Sequence, residues 1–505
     1  MTAGTVDVPE VIRMGPPRLT AGLDQYIRMG YEAHLAVHGP LPRYGAPELV
    51  DLAQRIGLTG KGGAAFPFAR KLKAVMDSAR RRRLPTAVVV NATEGEPGSA
   101  KDRMLLARAP HLVLDGALLV SEALRAESIA VGVDEGSPGV TSMPSAVAER
   151  RSRLPIRVVQ QPARFVSGES GSLIRGVNGL VALPPSRKVR SSDGGVGGVD
   201  GLPTLLSNAE TYAQLAVAAR LGAEAYCAVG PDAEPGTVLL TVNRPGARRP
   251  VVVEAPAGTP LGAVLDACGT GPGQGVLVGG YHGMFLDAES AVTAPCSRAG
   301  MRKSGGTFGA GIVIPLPEDT CPLGEAARIV QWLAAESAGQ CGPCRRGLPE
   351  LARAFGAMVA GGGAPAVEEV RRLAAAVVGQ GACSHPDGSA GFVRSALGAF
   401  TEDVRAHTGG AGCGRRVRSV LPTVPWTPDR GDDELGRAQV NLKVDWALCD
   451  GHGLCADISP ELFTLDQYGF PVVNEGPVPV WLTLSAKRAV NQCPALALRF
   501  AASGR

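Results

Sequence analysis

Ala87-Val-Val-Val90-Asn91-Ala92-Thr93-Glu94-Gly95-Glu96-Pro97-Gly98, with Lys101-Asp102-Arg103 just beyond, is the stretch on which the fold turns. A short, unbroken apolar run reads as a strand buried on both faces, as in a parallel sheet. It ends in a tight loop carrying two carboxylates. In open α/β sheets, ligands bind outside the carboxyl ends of the strands. Working outward, Ala46 to Ile56 has the period of an amphipathic helix, His111 to Ala126 reads as helix and Ser128 to Val133 as strand. This alternation predicts an α/β sheet with helices on its faces over residues 46–230.

Just upstream of that strand lies Gly57-Leu-Thr-Gly60-Lys61-Gly62-Gly63-Ala-Ala-Phe66-Pro67, which runs into a helix containing Lys71 and Lys73. Glycines let backbone N–H groups approach a phosphate, and the following helix N-terminus adds partial positive charge. A lysine one turn into the helix reaches the phosphate from the side. Taken alone, such a loop is equally a plain turn. Arg164-Phe165-Val-Ser-Gly-Glu169-Ser170 and Thr204-Leu-Leu-Ser207-Asn208-Ala-Glu210-Thr211 bring further polar groups.

The rest of the 505-residue chain changes character repeatedly. Residues 1–45 read as a leader with short helices. Residues 231–316 hold strands at Thr237 to Asn243, Val251 to Glu254 and Gly275 to Val278 between Gly/Pro turns, a compact β-rich unit. Residues 317–410 are Ala-, Leu- and Arg-rich with helical period, a small bundle. Residues 411–440 lack periodicity and read as a linker. A small terminal domain occupies 441–505.

Composition narrows the function. At 45% hydrophobic and 19% charged residues, the chain can bury real cores. Its net charge of only +4 argues against a nucleic-acid face. Apolar runs such as Ala117 to Val120 and Val238 to Val242 fall far short of a membrane span. No basic-then-apolar leader opens the sequence, so the expectation is a cytoplasmic protein, peripheral to a membrane only through a partner. The basic run Arg80 to Arg83 reads as the solvated end of a helix. Eleven cysteines in such a setting are not a disulfide framework. Cys227, Cys268, Cys296, Cys321 and Cys413 are scattered and read as structural or buried.

The other six cysteines form two sets. In the terminal domain, Cys449-Asp-Gly-His452-Gly-Leu-Cys455 and the remote Cys493-Pro494 can hold an iron–sulfur cluster. His452 stands where a C-x2-C-x2-C run would place its second cysteine. Either the cluster has three irons, or the imidazole takes the fourth. The second set is Cys341 and Cys344, in Gln340-Cys-Gly-Pro-Cys-Arg-Arg, with Cys383 further on. By itself, C-x2-C would also serve a redox or zinc pair.

Together and in this order, the motifs of residues 46–410 resemble the flavin-bearing, NADH-oxidising subunit of respiratory complex I and its counterparts in NAD-linked hydrogenases and formate dehydrogenases. The terminal domain resembles the single-cluster ferredoxins that serve actinobacterial cytochromes P450. The resemblance implies a multidomain α/β protein: an FMN-binding Rossmann-like domain, a β-grasp-like (SLBB-type) domain, a helical iron–sulfur domain and an α+β ferredoxin domain. It implies FMN held by Gly60, Gly62, Gly63, Lys71, Asn91, Glu94, Ser207 and Asn208, with Phe165 and Glu169 beside it and Phe66 and Glu96 at the reacting face. It implies a [4Fe–4S] or [3Fe–4S] cluster on Cys341, Cys344 and Cys383, because the family's first cysteine is Ala338 here. The ferredoxin would hold a [3Fe–4S] or His-ligated [4Fe–4S] cluster on Cys449, His452, Cys455 and Cys493.

Departures from the family fall on the nucleotide side. The family tyrosine is Phe165, its second glutamate is Ser170, and the aspartate of its acidic loop is Thr93. A clamp segment reads Pro184-Pro-Ser-Arg187-Lys188-Val-Arg190. Its positive charge suits either the 2′-phosphate of NADPH or an acidic protein. The expected function is electron transfer among FMN, an internal cluster and a fused ferredoxin, with NAD(P)H as donor. The alternative is a nucleotide-independent subunit exchanging electrons with a protein. Expected partners are a P450-like or membrane haem or flavin protein, or the other subunits of a larger complex.

Overall fold

The computed structural model describes residues 9–185, 189–247, 249–423, 440–473, 478 and 482–502. Two sheets organise the body of the chain. In chain order their strands are β1 (Glu10–Arg13), β2 (Thr86–Ala92), β3 (Ala126–Asp134), β4 (Ile156–Gln161), β5 (Thr204–Asn208), β6 (Thr237–Val242), β7 (Val251–Pro256), β8 (Gly275–Val278), β9 (Met284–Leu286) and β10 (Ile312–Leu316).

The first sheet has the order β4-β3-β2-β5, with every neighbour parallel. The chain leaves β2 toward β3 on one side and returns as β5 on the other. The β2/β5 edge is therefore the topological switch point, where such sheets open a crevice. β2 is buried along nearly its whole length, which is why it reads as an unbroken apolar run. One face is covered by helices Ala46–Arg55, Phe68–Arg82, Pro110–Leu124 and Ala209–Cys227, which share one core with Val88, Val90 and Leu205. Helices Pro110–Leu124 and Ala209–Cys227 cross closely because Gly116 has no side chain. A Cβ there would stand 2.0 Å from the Tyr212 carbonyl oxygen. Helix Ser170–Val177 packs on the opposite face, against Ala87, Val89 and Leu206.

The second sheet runs β1-β7-β6-β10-β8-β9 and is mixed. β1 comes from the segment expected to be a leader. It pairs parallel with β7 from Glu10↔Val251 to Arg13↔Glu254. The buried Glu254 carboxylate then accepts from the backbone N–H of Leu19 (2.8 Å) and Thr20 (2.9 Å) and from the Thr237 hydroxyl (2.7 Å). An edge strand of four residues carries too short a pattern to be read from sequence, and its anchor lies more than two hundred residues away.

Helices Pro322–Ala335, Leu348–Val359, Gly363–Val377, His385–Ala399 and Thr401–Thr408 form the bundle around Phe355, Phe392 and Leu351. The segment read as linker does not begin free at residue 411. Leu421 is fully buried, the Arg418 N–H donates to Glu325 (2.8 Å), and Arg416 bridges to Thr320. Residues 424–439 lie outside the described residues. In the terminal domain, β11 (Val440–Val444) pairs antiparallel with β14 (Leu498–Ala502), and β12 (Phe463–Leu465) with β13 (Pro471–Val473), around a core that includes Phe463, Leu462 and Ala489. Among the described residues no single helix is long and apolar enough to cross a membrane.

Candidate functional site

Asn91 and Asn208 lie at the carboxyl ends of β2 and β5 and are register partners across the switch point. Neither side chain is idle. Asn91 donates from Nδ2 to the Gly168 carbonyl (2.9 Å), and its Oδ1 accepts from the Thr93 hydroxyl (2.6 Å). Asn208 caps helix Ala209–Cys227 by accepting from the Glu210 N–H (3.0 Å), and donates to Asp102 (2.6 Å). Behind them the buried Lys101 ammonium is ion-paired with Asp102 (3.1 Å) and Glu210 (2.9 Å). Glu94 turns inward to cap helix Lys101–Arg108, accepting from the N–H of Asp102 (3.0 Å) and Arg103 (2.9 Å) and from the Ser99 hydroxyl (2.5 Å). Ser207 is buried in β5. The two asparagines and Glu94 thus hold the loops in place.

The glycine loop lies over this floor. A Cβ on Gly62 would stand 3.3 Å from the Asn208 Cβ, whereas Gly63, at φ +104°, has nothing within 4 Å. Gly60 is near only the Phe66 backbone. Arg298, from the second sheet's domain, clamps the loop by donating to the carbonyls of Gly60 (2.9 Å) and Gly63 (3.3 Å). Lys71 extends from helix Phe68–Arg82 and donates to the Leu206 carbonyl (2.7 Å). Burial alone pulls its ammonium down to about 8. Open backbone at Gly63 and a desolvated lysine with no carboxylate partner among the described residues are the kinds of donor a phosphate needs.

Glu96 and Phe66 differ sharply in surroundings. Phe66 is 46% exposed, with the Arg70 guanidinium 5.5 Å from its ring centroid. The Glu96 carboxylate accepts from the Tyr281 N–H (3.2 Å to each oxygen). Gly280 makes that approach possible, since its Cβ would fall 2.7 Å from Glu96 Oε2. Burial pushes the Glu96 carboxyl up to about 8. A folded-state carboxyl raised this way keeps a proton that the unfolded chain releases. Stability therefore falls as pH rises from 4.5 to about 8. Glu96→Gln is expected to remove this slope from the thermal midpoint of the flavin-site domain and to match wild type at low pH. Parallel midpoint–pH curves for the two proteins would show that Glu96 is ionised throughout.

Phe165 sits in an aromatic cluster, with ring centroids 4.8 Å from His282, 5.3 Å from Trp332 and 5.4 Å from His385. His385 donates from Nε2 to the Leu333 carbonyl (2.8 Å), so its Nδ1 accepts from His282 Nε2 (3.3 Å). Burial lowers both imidazoles, to about 3 for His282 and about 4 for His385, so both are neutral. This cluster spans from the Glu96–Tyr281 contact to the Cys383 loop, and of its members only Phe165 stands out in the sequence. Glu169 N-caps helix Ser170–Val177, accepting from Gly171 (2.8 Å) and Ser172 (2.9 Å). Arg187 and Lys188 lie outside the described residues.

Cys341, Cys344 and Cys383 come together before helix Leu348–Val359 and at the start of helix His385–Ala399. The Cys344 thiol hydrogen-bonds to Cys341 and holds it low, while Cys344 itself is pushed up. Backbone N–H groups of Ala382 and Cys344 also aim at Cys341. Sulfur atoms that share protons and face backbone donors are the donor set a cluster takes. Ala338, the missing thiolate, is 5% exposed among Val166 and Leu183, so its corner is apolar. Next to Cys341, the Gln340 amide buries both Nε2 and Oε1 without a partner among the described residues.

In the terminal domain Cys449, His452, Cys455 and Cys493 line one cavity. Residues flanking the two cysteine sites touch. Gln492, just before Cys493, lies against Gly339, whose Cβ would stand 2.9 Å from the Gln492 amide nitrogen. Arg345, next to Cys344, pairs with Asp457 (3.1 Å). Arg175 feels Cys493 electrostatically and leaves Nε and one terminal nitrogen buried without a partner among the described residues.

Comparison with known proteins places names on these parts. Residues 53–217 match the Nuo51 FMN-binding domain, residues 324–407 the NADH-ubiquinone oxidoreductase-F iron–sulfur binding region, and residues 442–500 a 4Fe-4S single cluster domain. The chain is 27% identical over 407 residues to the second F-type subunit of the Rhizobium meliloti NADH-quinone oxidoreductase, covering 76% of this chain and 95% of that protein. It is 27% identical over 386 residues to the F-type subunit of the Streptomyces coelicolor NADH-quinone oxidoreductase, covering 72% and 84%. It superposes on a chain of the NAD+-reducing [NiFe]-hydrogenase in its H2-reduced state with a TM-score of 0.68 and 25% identity, covering 79% of this chain and 68% of that one.

Proposed function

From a chain that is homologous to the F-type subunit of complex I and to the flavin-bearing subunit of NAD-reducing hydrogenase, with a single-cluster ferredoxin domain behind, we infer an internal electron route. It runs between FMN at the switch point, the cluster on Cys341, Cys344 and Cys383, and the ferredoxin cluster. The observation that carries this is the contact between Gln492 and Gly339, reinforced by the Arg345–Asp457 pair, which joins residues flanking the two cysteine sites. When bound, FMN accepts electrons in pairs and the clusters pass them singly; the protein supplies position and electrostatics.

In this reading Gly60, Gly62, Gly63 and Lys71 seat the phosphate end of FMN, while Asn91, Glu94 and Asn208 fix the loops around it. Glu96, neutral below about pH 8, can donate a hydrogen bond. The exposed ring of Phe66 offers a stacking surface at the crevice mouth. NADH is the donor we favour, since the flavin floor keeps Phe66 and Glu96. A second reading, in which a redox protein exchanges electrons without nucleotide, is favoured by Glu169. Its carboxylate is engaged in capping, and Ser170 beside it offers no carboxylate for ribose hydroxyls. The acceptor beyond the ferredoxin is a P450-like or membrane-bound redox protein, which the chain meets from the cytoplasm.

Anaerobic titration with NADH and NADPH, followed by flavin absorbance, tests this. NADH is expected to bleach the flavin, but only at concentrations well above stoichiometric. Bleaching by NADPH alone would assign the basic segment around Arg190 to the 2′-phosphate. No bleaching by either, with reduction by a low-potential protein donor, would establish the second reading.

A further inference from the structure

Cys321, His407 and Cys413 look unrelated in the sequence, and the electron route uses none of them. Cys321 stands 86 residues before His407, and Cys413 follows soon after it, yet the ligand atoms of all three fall within 4.8 Å of one another. Cys321 Sγ is 3.3 Å from His407 Nε2. Two ligands at zinc–sulfur and zinc–nitrogen distances of ~2.3 and ~2.0 Å subtend ~3.5 Å across a tetrahedral ion. Cys413 contacts both Cys321 and His407. None of the cysteines is in a disulfide.

The surroundings are those of a ligand set. His407 donates from Nδ1 to the Val359 carbonyl (2.7 Å), which fixes its tautomer and aims the Nε2 lone pair at the two sulfurs. Cys321 N-caps helix Pro322–Ala335, and the Gly324 N–H donates to its sulfur (3.2 Å). The Arg415 backbone N–H donates to the Cys413 sulfur. Both sulfurs are thus supported by backbone donors. Cys321 and His407 are buried, and Cys413 is the partly exposed member through which an ion would enter.

We propose that Cys321, His407 and Cys413 bind one zinc ion, separate from both iron–sulfur sites. Two thiolates and one imidazole in a tetrahedral arrangement select zinc among common divalent cations, and the fourth position is left to water. The ion would join the start of helix Pro322–Ala335, the end of helix Thr401–Thr408 and the segment that leads to the ferredoxin domain. It is a fastening at the root of that connection: the Cys321 N–H already donates to the Arg416 carbonyl (2.9 Å).

The test uses the full-length protein, free of any affinity tag, purified without added zinc. Elemental analysis is expected to give one zinc per chain beside the iron. Zinc-edge X-ray absorption is expected to show two sulfur ligands at ~2.3 Å and nitrogen or oxygen ligands at ~2.0 Å. Cys321→Ser and Cys413→Ser should each lower zinc to background while iron and flavin contents hold. If either variant fails to fold, the sulfur count in the wild-type spectrum decides. Zinc absent from the wild-type protein, zinc retained in both variants, an all-sulfur shell matching misfilled cluster sites, or a Cys321–Cys413 disulfide on thiol mapping would each overturn the proposal.

Discussion

Lys71→Ala is expected to weaken FMN binding ten- to a hundredfold, so that the protein purifies largely colourless in its flavin bands. The size follows from one charge-assisted hydrogen bond, about 1.5–3 kcal/mol. The Lys71 ammonium has left water, and the one hydrogen-bond acceptor seen for it among the described residues is the Leu206 carbonyl. Burial is the sole cause of its fall to about 8, so among the described residues no acidic neighbour holds its charge. A cation kept in this condition is destabilising until an anion arrives, and the phosphate of FMN would supply that negative charge. The pH dependence follows. Above pH 8 the ligand-free lysine is neutral, so wild-type affinity should decline as pH rises through that value, and Lys71→Ala should lose this part of the dependence. Fluorescence titration of FMN into deflavinated protein measures both. Wild-type affinity in the variant would move the phosphate seat to Arg298 and Lys61.

Arg298 shows what the sequence withheld. It stands over two hundred residues from the glycine loop it clamps, inside Ser297–Lys303, a stretch with no motif of its own. The same holds for β1, whose four residues find their partner at Val251 to Glu254, and for Glu254 itself, which looks like an ordinary strand residue until its carboxylate meets donors from Arg18, Leu19, Thr20 and Thr237. By contrast, the acidic loop is readable because its chemistry is local. A buried strand, a turn and two carboxylates follow one another within twelve residues, and the rule that ligands sit at strand C-termini does the rest. What local reading cannot supply is the division of labour. Glu94 and Glu96 are two residues apart, but one caps a helix and the other is held neutral against Tyr281. Similarly, Glu169 groups with the cofactor site on its motif, and the structure shows its carboxylate bonded to the helix it starts.

The cysteine sets divide in the same way. Short, regular spacings announce themselves, so Cys341, Cys344, Cys449 and Cys455 stand out in the sequence alone. Cys321 has no spacing that ties it to His407 and Cys413, and the return of the chain at Arg416 brings it to them. The Pro/Arg/Asp composition of residues 411–440 hides the fact that residues 411–423 follow the bundle surface. Composition reports the absence of a repeating apolar pattern, whereas Leu421 is a single buried contact supported by the Glu325 carboxylate.

Cys455→Ser is expected to remove the ferredoxin cluster outright. Cys455 lies in the first turn of helix Leu454–Ile458 and lines the cavity with Cys449, His452 and Cys493. Its sulfur faces the N–H groups of Cys455 and Ala456, and Cys493 accepts from the Ala497 N–H (3.3 Å). Gly451 and Gly453, at φ +68° and +71°, bend the backbone around the site in a conformation that other residues rarely adopt. A core as small as Leu442, Leu462, Phe463, Ala486, Ala489 and Leu498 cannot hold such a loop by burial alone, so cluster binding supplies folding free energy to the whole domain. Iron per chain should fall by one cluster, and hydrogen-exchange protection should vanish over β11 and β14. FMN and the iron held by Cys341, Cys344 and Cys383 should remain, because those sites belong to separately packed cores. His452→Ala refines the assignment. With imidazole as the fourth ligand, the variant should keep a cluster but convert its four-iron signal to a three-iron one by electron paramagnetic resonance. An unchanged signal in His452→Ala would remove the histidine from the ligand set. A retained cluster in Cys455→Ser would remove the cavity from consideration as the cluster site altogether.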